Sequence, residues 1–170
     1  MPLEIRAAAS ADVEAISAVY NHYVENSNAT FELEPVSLDE RLDWFSQYGD
    51  SGPCRLLVAE ESGTLLGYAT ASAFHPKPIY SSSIELGIYV APTSIRAGIG
   101  SALYSELLAI LSEESSVERL VAGVKLPNEA SIAFHLKFGF EEVGTFRRVG
   151  RRGGTFFDLC WLDRPVRLAV

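Results

Sequence analysis

The sequence predicts an α/β fold of the α+β kind, a mixed and mostly antiparallel sheet with helices on both faces. Three observations carry that expectation. Segments that alternate apolar and polar residues interleave with segments of helical spacing, in the order strand, two helices, three strands, helix, strand, helix, two strands. Two of the strand pairs are joined by short Gly-containing connections, the mark of antiparallel hairpins. The chain has 170 residues, 48% of them hydrophobic, which suits one well-buried core, and no linker, repeat or low-complexity tract divides it, so residues 1–170 read as a single domain.

Taken in order, Leu3 to Ala7 is a short strand, and Ser10 offers an N-cap with Asp12 and Glu14 in the first turn of a helix. Val13, Ile16, Tyr20, Tyr23 and Val24 give that helix its apolar face. A loop from Asn26 to Pro35 contains Phe31. Ser37 and Glu40 then form a capping box, and Leu42, Phe45 and Tyr48 are expected on the inner side of a second helix ended by Gly49. Arg55 to Glu60 and Thr64 to Ala73 form a hairpin through Glu61, Ser62 and Gly63. In Ser83 to Val90, the residues Ile84, Leu86, Ile88 and Val90 share one face and Ser83, Glu85, Gly87 and Tyr89 the other. The first face is core; the second holds a carboxylate.

After a loop from Ala91 to Gly98, the residues Ile99, Leu103, Leu107 and Ile110 follow the helical period. Val117 to Lys125 is a strand, Pro127 and Asn128 start a helix that runs through Lys137, and Gly139 is placed for a left-handed cap. Phe140 to Arg148 and Thr155 to Leu162 close the chain as a hairpin with a Gly- and Arg-rich connection.

Several function classes are excluded by composition. A formal net charge of −8 argues against a broad nucleic-acid surface, which needs concentrated Lys and Arg. No apolar run reaches the roughly 20 residues of a membrane span, and the N-terminus lacks a secretory core, so a cytoplasmic protein without membrane contact is expected. Cys54 and Cys160 have neither metal nor redox spacing and read as free thiols; His22, His75 and His135 are scattered, and no metal is expected.

The most informative segment is Tyr89-Val-Ala-Pro-Thr-Ser-Ile-Arg-Ala-Gly-Ile-Gly-Ser101, where a strand passes through a Gly-containing loop into an amphipathic helix. Gly98 and Gly100 permit close backbone approach, and the unpaired N–H groups at the helix start form a cradle for a pyrophosphate. It is neither a Walker A sequence nor G-x-G-x-x-G. Arg96-Ala-Gly-Ile-Gly100 after a strand resembles the acetyl-CoA loop of the GNAT acetyltransferase superfamily, [QR]-x-x-G-x-[GA], with Ile95 standing where Gln or Arg is usual.

A closer resemblance spans most of the chain. Tyr20-Asn-His-Tyr-Val24, Thr30-Phe-Glu-Leu-Glu-Pro35, Ile84-Glu85 with Tyr89-Val90, Leu126-Pro-Asn128, His135 before Gly139, and Gly153-Gly-Thr-Phe-Phe-Asp158 are similar to the phosphinothricin and methionine sulfoximine acetyltransferase branch. The resemblance implies a GNAT-like fold and an acetyl-CoA-dependent N-acetyltransferase. Glu85 is then the general base that deprotonates the attacking amine. Ile88, Tyr89 and Val90 would contact the cofactor on a strand that splays from its neighbour, with a main-chain N–H as oxyanion donor and Gly87 marking a bulge. Arg96, Ala97, Gly98, Ile99, Gly100 and Ser101 would hold the pyrophosphate.

Asn128 is both a helix N-cap and a candidate partner of pantetheine. His135 either neutralises the departing thiolate or is a structural residue hydrogen-bonded within the cleft. Phe31 and Tyr80 are candidates for the walls of the substrate site, and Lys77 for the partner of a substrate acid group. The loop Phe74-His-Pro-Lys-Pro-Ile79 and the pair Leu86-Gly87 depart from the branch's pattern. Arg147, Arg148, Arg151 and Arg152 form either a solvated hairpin tip or an anion site.

The acceptor expected is the amine of a small amino acid or analogue. Protein N-termini, lysine or polyamines are the alternative acceptors, and a non-catalytic acyl-CoA-binding regulatory module is the alternative class. A homodimer is implied by the resemblance, with the C-terminal hairpin as a possible contact.

Overall fold

The computed structural model describes residues 2–95 and 98–167. Seven strands form one sheet: β1 (Glu4–Ala7), β2 (Arg55–Glu61), β3 (Thr64–Ala73), β4 (Ser83–Val90), β5 (Arg119–Lys125), β6 (Glu141–Arg152) and β7 (Thr155–Pro165). Their spatial order is β1-β2-β3-β4-β5-β7-β6, and every pairing is antiparallel except that of β4 with β5. Helices α1 (Val13–Asn26) and α2 (Leu38–Phe45) cover one face; α3 (Ile99–Glu113) and α4 (Glu129–Lys137) belong to the other.

Strand alternation sorts the interior into two cores. Leu57, Ala59, Ala69, Ala71, Ile84 and Leu86 turn towards α3, whose Leu103, Leu107 and Leu111 are fully buried against them. Leu56, Val58 and Tyr68 turn the opposite way, onto Ile16, Val19, Tyr20 and Val24 of α1. Tyr89 joins this second core, so the face of β4 that carries Glu85 is itself covered by protein.

Local chemistry explains most boundaries. Ser37 accepts the N–H of Glu40 at 3.3 Å while the Glu40 carboxylate accepts the N–H of Ser37 at 2.9 Å, closing the expected capping box. α4 ends in a Schellman arrangement, with Phe140 N–H on the His135 carbonyl, Gly139 N–H on that of Leu136, and Gly139 at φ +81°.

Three expectations are corrected. Ser10 does not cap α1; it opens a 3₁₀ turn over Ser10–Asp12, and the Asp12 carboxylate accepts the Ala9 N–H while Arg6 holds it ionised. Phe45 and, beyond the end of α2, Tyr48 pack against the core as expected, but Leu42 is exposed and Arg41 and Trp44 take the inner face of the helix. The four arginines lie within β6 instead of its turn, which is Gly153-Gly154, both left-handed as a two-residue hairpin requires. Arg152 reaches back to cap the end of α1, donating to the Val24 carbonyl at 2.7 Å.

Candidate active site

The site begins where β4 and β5 part. Their parallel pairing covers only Ser83↔Arg119, Ile84↔Leu120 and Glu85↔Val121. Beyond Glu85, β5 remains paired with β7 as far as Lys125↔Leu159, and β4 with β3 as far as Gly67↔Val90. Between the diverging strands lies a cleft of about 720 Å³.

The expected bulge at Gly87 is absent, because the β3–β4 register runs unbroken. Gly87 is required instead by a close approach: a Cβ there would stand 2.7 Å from the Thr70 hydroxyl oxygen. Antiparallel pairs engage alternate residues, and the bond from Ala91 N–H to Leu66 O fixes which ones. Gly87 and Tyr89 bond to β3; Leu86, Ile88 and Val90 turn their main-chain groups to the side that β5 has vacated. The Val90 carbonyl accepts the Tyr23 hydroxyl at 2.6 Å, which leaves the Ile88 and Val90 N–H groups facing the cleft.

The opposite wall of the cleft is the start of α3. Gly98 is left-handed at φ +75°, and the first amides of the helix follow it. Lys137 donates to the Ser101 hydroxyl at 3.2 Å, adding positive charge to that end. Gly98, Ile99, Gly100 and Ser101 line the cleft, as do Ile88, Tyr89, Val90, Asn128 and His135; Arg96 and Ala97 lie outside the described residues. Orphan helix amides at one end and free strand amides along one wall are a donor set that fits an extended, phosphate-bearing acyl thioester.

Asn128 caps α4, its side-chain oxygen accepting the Ser131 N–H at 3.1 Å. His135 is buried, and its Nδ1 lies 2.7 Å from the Ser131 carbonyl. A carbonyl oxygen only accepts, so Nδ1 carries the proton and the buried Nε2, which has no partner, keeps a bare lone pair. Burial lowers the pKa of His135, which favours the neutral ring.

A second pocket of about 330 Å³ abuts the cleft across Leu86, Gly87, Tyr89 and Gly123, and Glu85 lines this pocket alone. Burial pushes its carboxyl above the ordinary Glu value. Phe31 lines the same pocket. Tyr80 and Lys77 line neither: Tyr80 packs on Phe74 and His75, and Lys77 is exposed on the loop before it.

Sequence reasoning missed the rest of this pocket. Tyr20, Trp44, Tyr48, Tyr68 and Tyr89 form an aromatic shell, Tyr20 donates its hydroxyl to Glu32, and Arg41 stands among them. Burial raises all four phenols, Tyr48 to about 12, so the shell is neutral and Glu32, Arg41 and Glu85 are its only charges. The helical spacing of Arg41 and Trp44, continued by Tyr48 just past the end of α2, is the signal that identifies them.

A carboxylate beside a cleft whose amide donors fit an acyl thioester is an arrangement suited to acyl transfer. Comparison with known proteins gives the same class. The model of the acetyltransferase (GNAT) domain matches residues 5–161. Phosphinothricin N-acetyltransferase of Streptomyces coelicolor is 42% identical over 166 residues, covering 96% of each chain. The L-methionine sulfoximine/L-methionine sulfone acetyltransferase of Pseudomonas aeruginosa is 31% identical over 163 residues, 96% of this chain and 94% of that protein. Among solved structures, a GNAT phosphinothricin acetyltransferase from Sinorhizobium meliloti in complex with acetyl-CoA superposes with a TM-score of 0.89 at 34% identity, over 97% of this chain and 89% of that one. The chain belongs to the GNAT acetyltransferase family, in the branch of the phosphinothricin and methionine sulfoximine enzymes, and is an acetyl-CoA-dependent N-acetyltransferase.

Proposed function

We propose that this chain, acting as one domain, moves the acetyl group of acetyl-CoA directly onto the primary amine of a small amino acid or analogue of the phosphinothricin or methionine sulfoximine kind. The observation that carries the reading is the position of Glu85, the last β4 residue paired to β5 and a carboxylate in the second pocket, next in sequence to Leu86 and Gly87 of the wall that the two cavities share.

An ammonium group has no lone pair, so Glu85 takes the first proton from the acceptor nitrogen, and its raised pKa brings it closer to working pH. Acetyl-CoA supplies the thioester carbonyl, whose developing negative charge is met by the Ile88 or Val90 N–H. Both are held by the β3 ladder and need no reorganisation. The nitrogen sheds its second proton to the departing sulfur. His135, neutral with Nδ1–H committed to Ser131, has no Nε2 proton to give, and we assign it to positioning within the cleft.

The small aromatic pocket with a cation inside favours a small acidic acceptor over a polyamine or a protein segment, and Glu85 in the same pocket weighs against a non-catalytic module. Free Cys54 and Cys160 suit the reducing cytoplasm. Among the described residues, no helix is long and apolar enough to cross a membrane and no cluster of metal-ligating side chains occurs. The edge strand β6, with Val143, Phe146 and Val149 exposed, is the proposed dimer contact; a monomeric mass in solution would reject it.

The test is thiol release from acetyl-CoA across an amine panel containing phosphinothricin, methionine sulfoximine, methionine sulfone and spermidine. Glu85→Gln should lose about 10²- to 10⁴-fold in kcat at neutral pH. Acetyl-CoA should bind it normally, since Glu85 does not line the cofactor cleft. Turnover within twofold of wild type removes Glu85 as the base, and release with no amine removes the transferase reading.

A further inference from the structure

Arg41 is 4% exposed, and among the described residues no anionic partner accounts for burying its guanidinium. Among the described residues it forms no ion pair, and its buried Nε has no hydrogen-bond acceptor. Its position is also costly: it is the fourth residue of α2 after the Ser37 cap, at the helix end where the macrodipole repels a cation. What holds it is flat aromatic surface, with the guanidinium carbon 4.2 Å from the centroid of Tyr20 and 4.6 Å from that of Trp44. Contacts of that kind occupy the faces of the fork and leave its N–H edges free.

Arg41 lines the same pocket as Glu85. The two opposite charges do not neutralise each other. Burial alone displaces the Glu85 titration, with no opposing pull from a nearby cation. Glu32, the remaining carboxylate, is engaged by the Tyr20 hydroxyl and forms no ion pair with Arg41. Beside Glu32, the pocket thus presents the Glu85 carboxylate and the Arg41 guanidinium with no ion pair between them, the complement of a molecule that carries both an amine and an acid group.

Accepting that Glu85 receives the amine, we propose that Arg41, caged by Tyr20 and Trp44, is the specificity residue that binds the carboxylate or phosphinate of the acceptor. Lys77 is exposed and does not line this pocket. The pairing is charge-assisted and, with a planar fork, bidentate, so its loss is felt mainly in KM. A polyamine would bring a second cation to Arg41 and is repelled.

The experiment compares L-methionine sulfone with its carboxamide, which keeps the amine and removes the acid. Wild type should favour the acid by roughly 10- to 100-fold in kcat/KM, carried by KM, as expected for one charge-assisted pair. Arg41→Gln should bring that ratio close to one, and Arg41→Lys, which keeps the charge and loses the fork, should restore part of it. Equal use of acid and amide by wild type overturns the proposal without any variant. An Arg41→Gln protein that loses both substrates in proportion, with the ratio intact, also overturns it and leaves Arg41 a packing residue. Quenching of tryptophan fluorescence, to which Trp44 contributes, reports binding of the two compounds independently of turnover. Acid-selective quenching without thiol release supports the Arg41 assignment while the transferase reading fails; thiol release without acid preference does the reverse.

Discussion

Asn128 caps α4 with one end of its carboxamide and is proposed to reach the cofactor with the other, and substitution separates the two. Its oxygen accepts the Ser131 N–H at 3.1 Å, and its nitrogen is available to the cofactor cleft that the residue lines. Asn128→Ala removes the cap, which costs about 1 kcal/mol. In a chain of 170 residues that lowers Tm by about 2–4 °C. It also removes one neutral donor, worth about 0.5–1.5 kcal/mol, or roughly 2- to 10-fold in the Kd of coenzyme A. Asn128→Ser keeps a capping oxygen and discards the amide nitrogen. The expectation is a Tm within about a degree of wild type for Ser, because Ser caps about as well as Asn, while the weakened affinity stays. Scanning calorimetry and isothermal titration with coenzyme A read the two quantities separately. If Asn128→Ser recovers affinity together with stability, the residue is a cap and nothing more; if Asn128→Ala melts like wild type, the account of α4's start is wrong.

Other consequences follow from the same geometry. Because the folded-state pKa of Glu85 is raised by burial, its ionisation opposes folding: the penalty is absent below the unfolded value near 4.5 and grows as pH rises through the folded value. Glu85→Gln should therefore melt like wild type at pH 4 and above it at pH 8, and parallel Tm profiles would refute this. His135 has the opposite dependence, since its pKa is lowered and the unfolded chain takes up its proton first as pH falls below about 6.5. His135→Gln should flatten that acid-side loss of stability, and an unchanged slope in a pH series of denaturant melts would count against the burial argument. At Gly98, φ is +75° and an added Cβ meets nothing within 4 Å, so Gly98→Ala carries only the left-handed backbone penalty of about 1–2 kcal/mol. Asn tolerates that conformation better, and Gly98→Asn should bind coenzyme A more tightly than Gly98→Ala; the reverse order in a titration would show that space, not backbone, governs the position.

The lining of the larger cleft was legible in the sequence because much of it is built from contiguous chain. A strand, two glycines and a helix start occupy one stretch from Tyr89 to Ser101, and the groups they offer are main-chain amides whose placement follows from secondary structure. The acceptor half was not, for a reason visible in α2. Period alone allowed Leu42 or Arg41 to face inward, and aliphatic bias selects Leu42. The aromatic shell reverses the choice, because Tyr20 of α1 and Trp44 of α2 reward a guanidinium face more than a methyl group. That shell draws on residues from Tyr20 to Gly123, a juxtaposition only the tertiary fold creates. Lys77 was misplaced for the converse reason: its loop follows β3 in sequence towards the site, yet its 3₁₀ turn, Pro78–Tyr80, folds onto Phe74 and His75 and leaves the lysine in solvent.

The point of divergence of β4 and β5 binds these halves into one machine. β5 pairs with β7 through seven successive residues, Arg119↔Pro165 to Lys125↔Leu159, whereas only three residues of β4 are matched to it. Antiparallel pairing is the stronger per residue, so as the sheet twists β5 follows β7 and leaves β4. The last matched residue is Glu85. From there the strand's period of two sends Glu85 and Tyr89 to the α1–α2 side and opens the amides of Ile88 and Val90 beside the cofactor cleft. The carboxylate proposed as base and the amides proposed as donors are thereby set a few residues apart on a strand that β3 pairs along its other side.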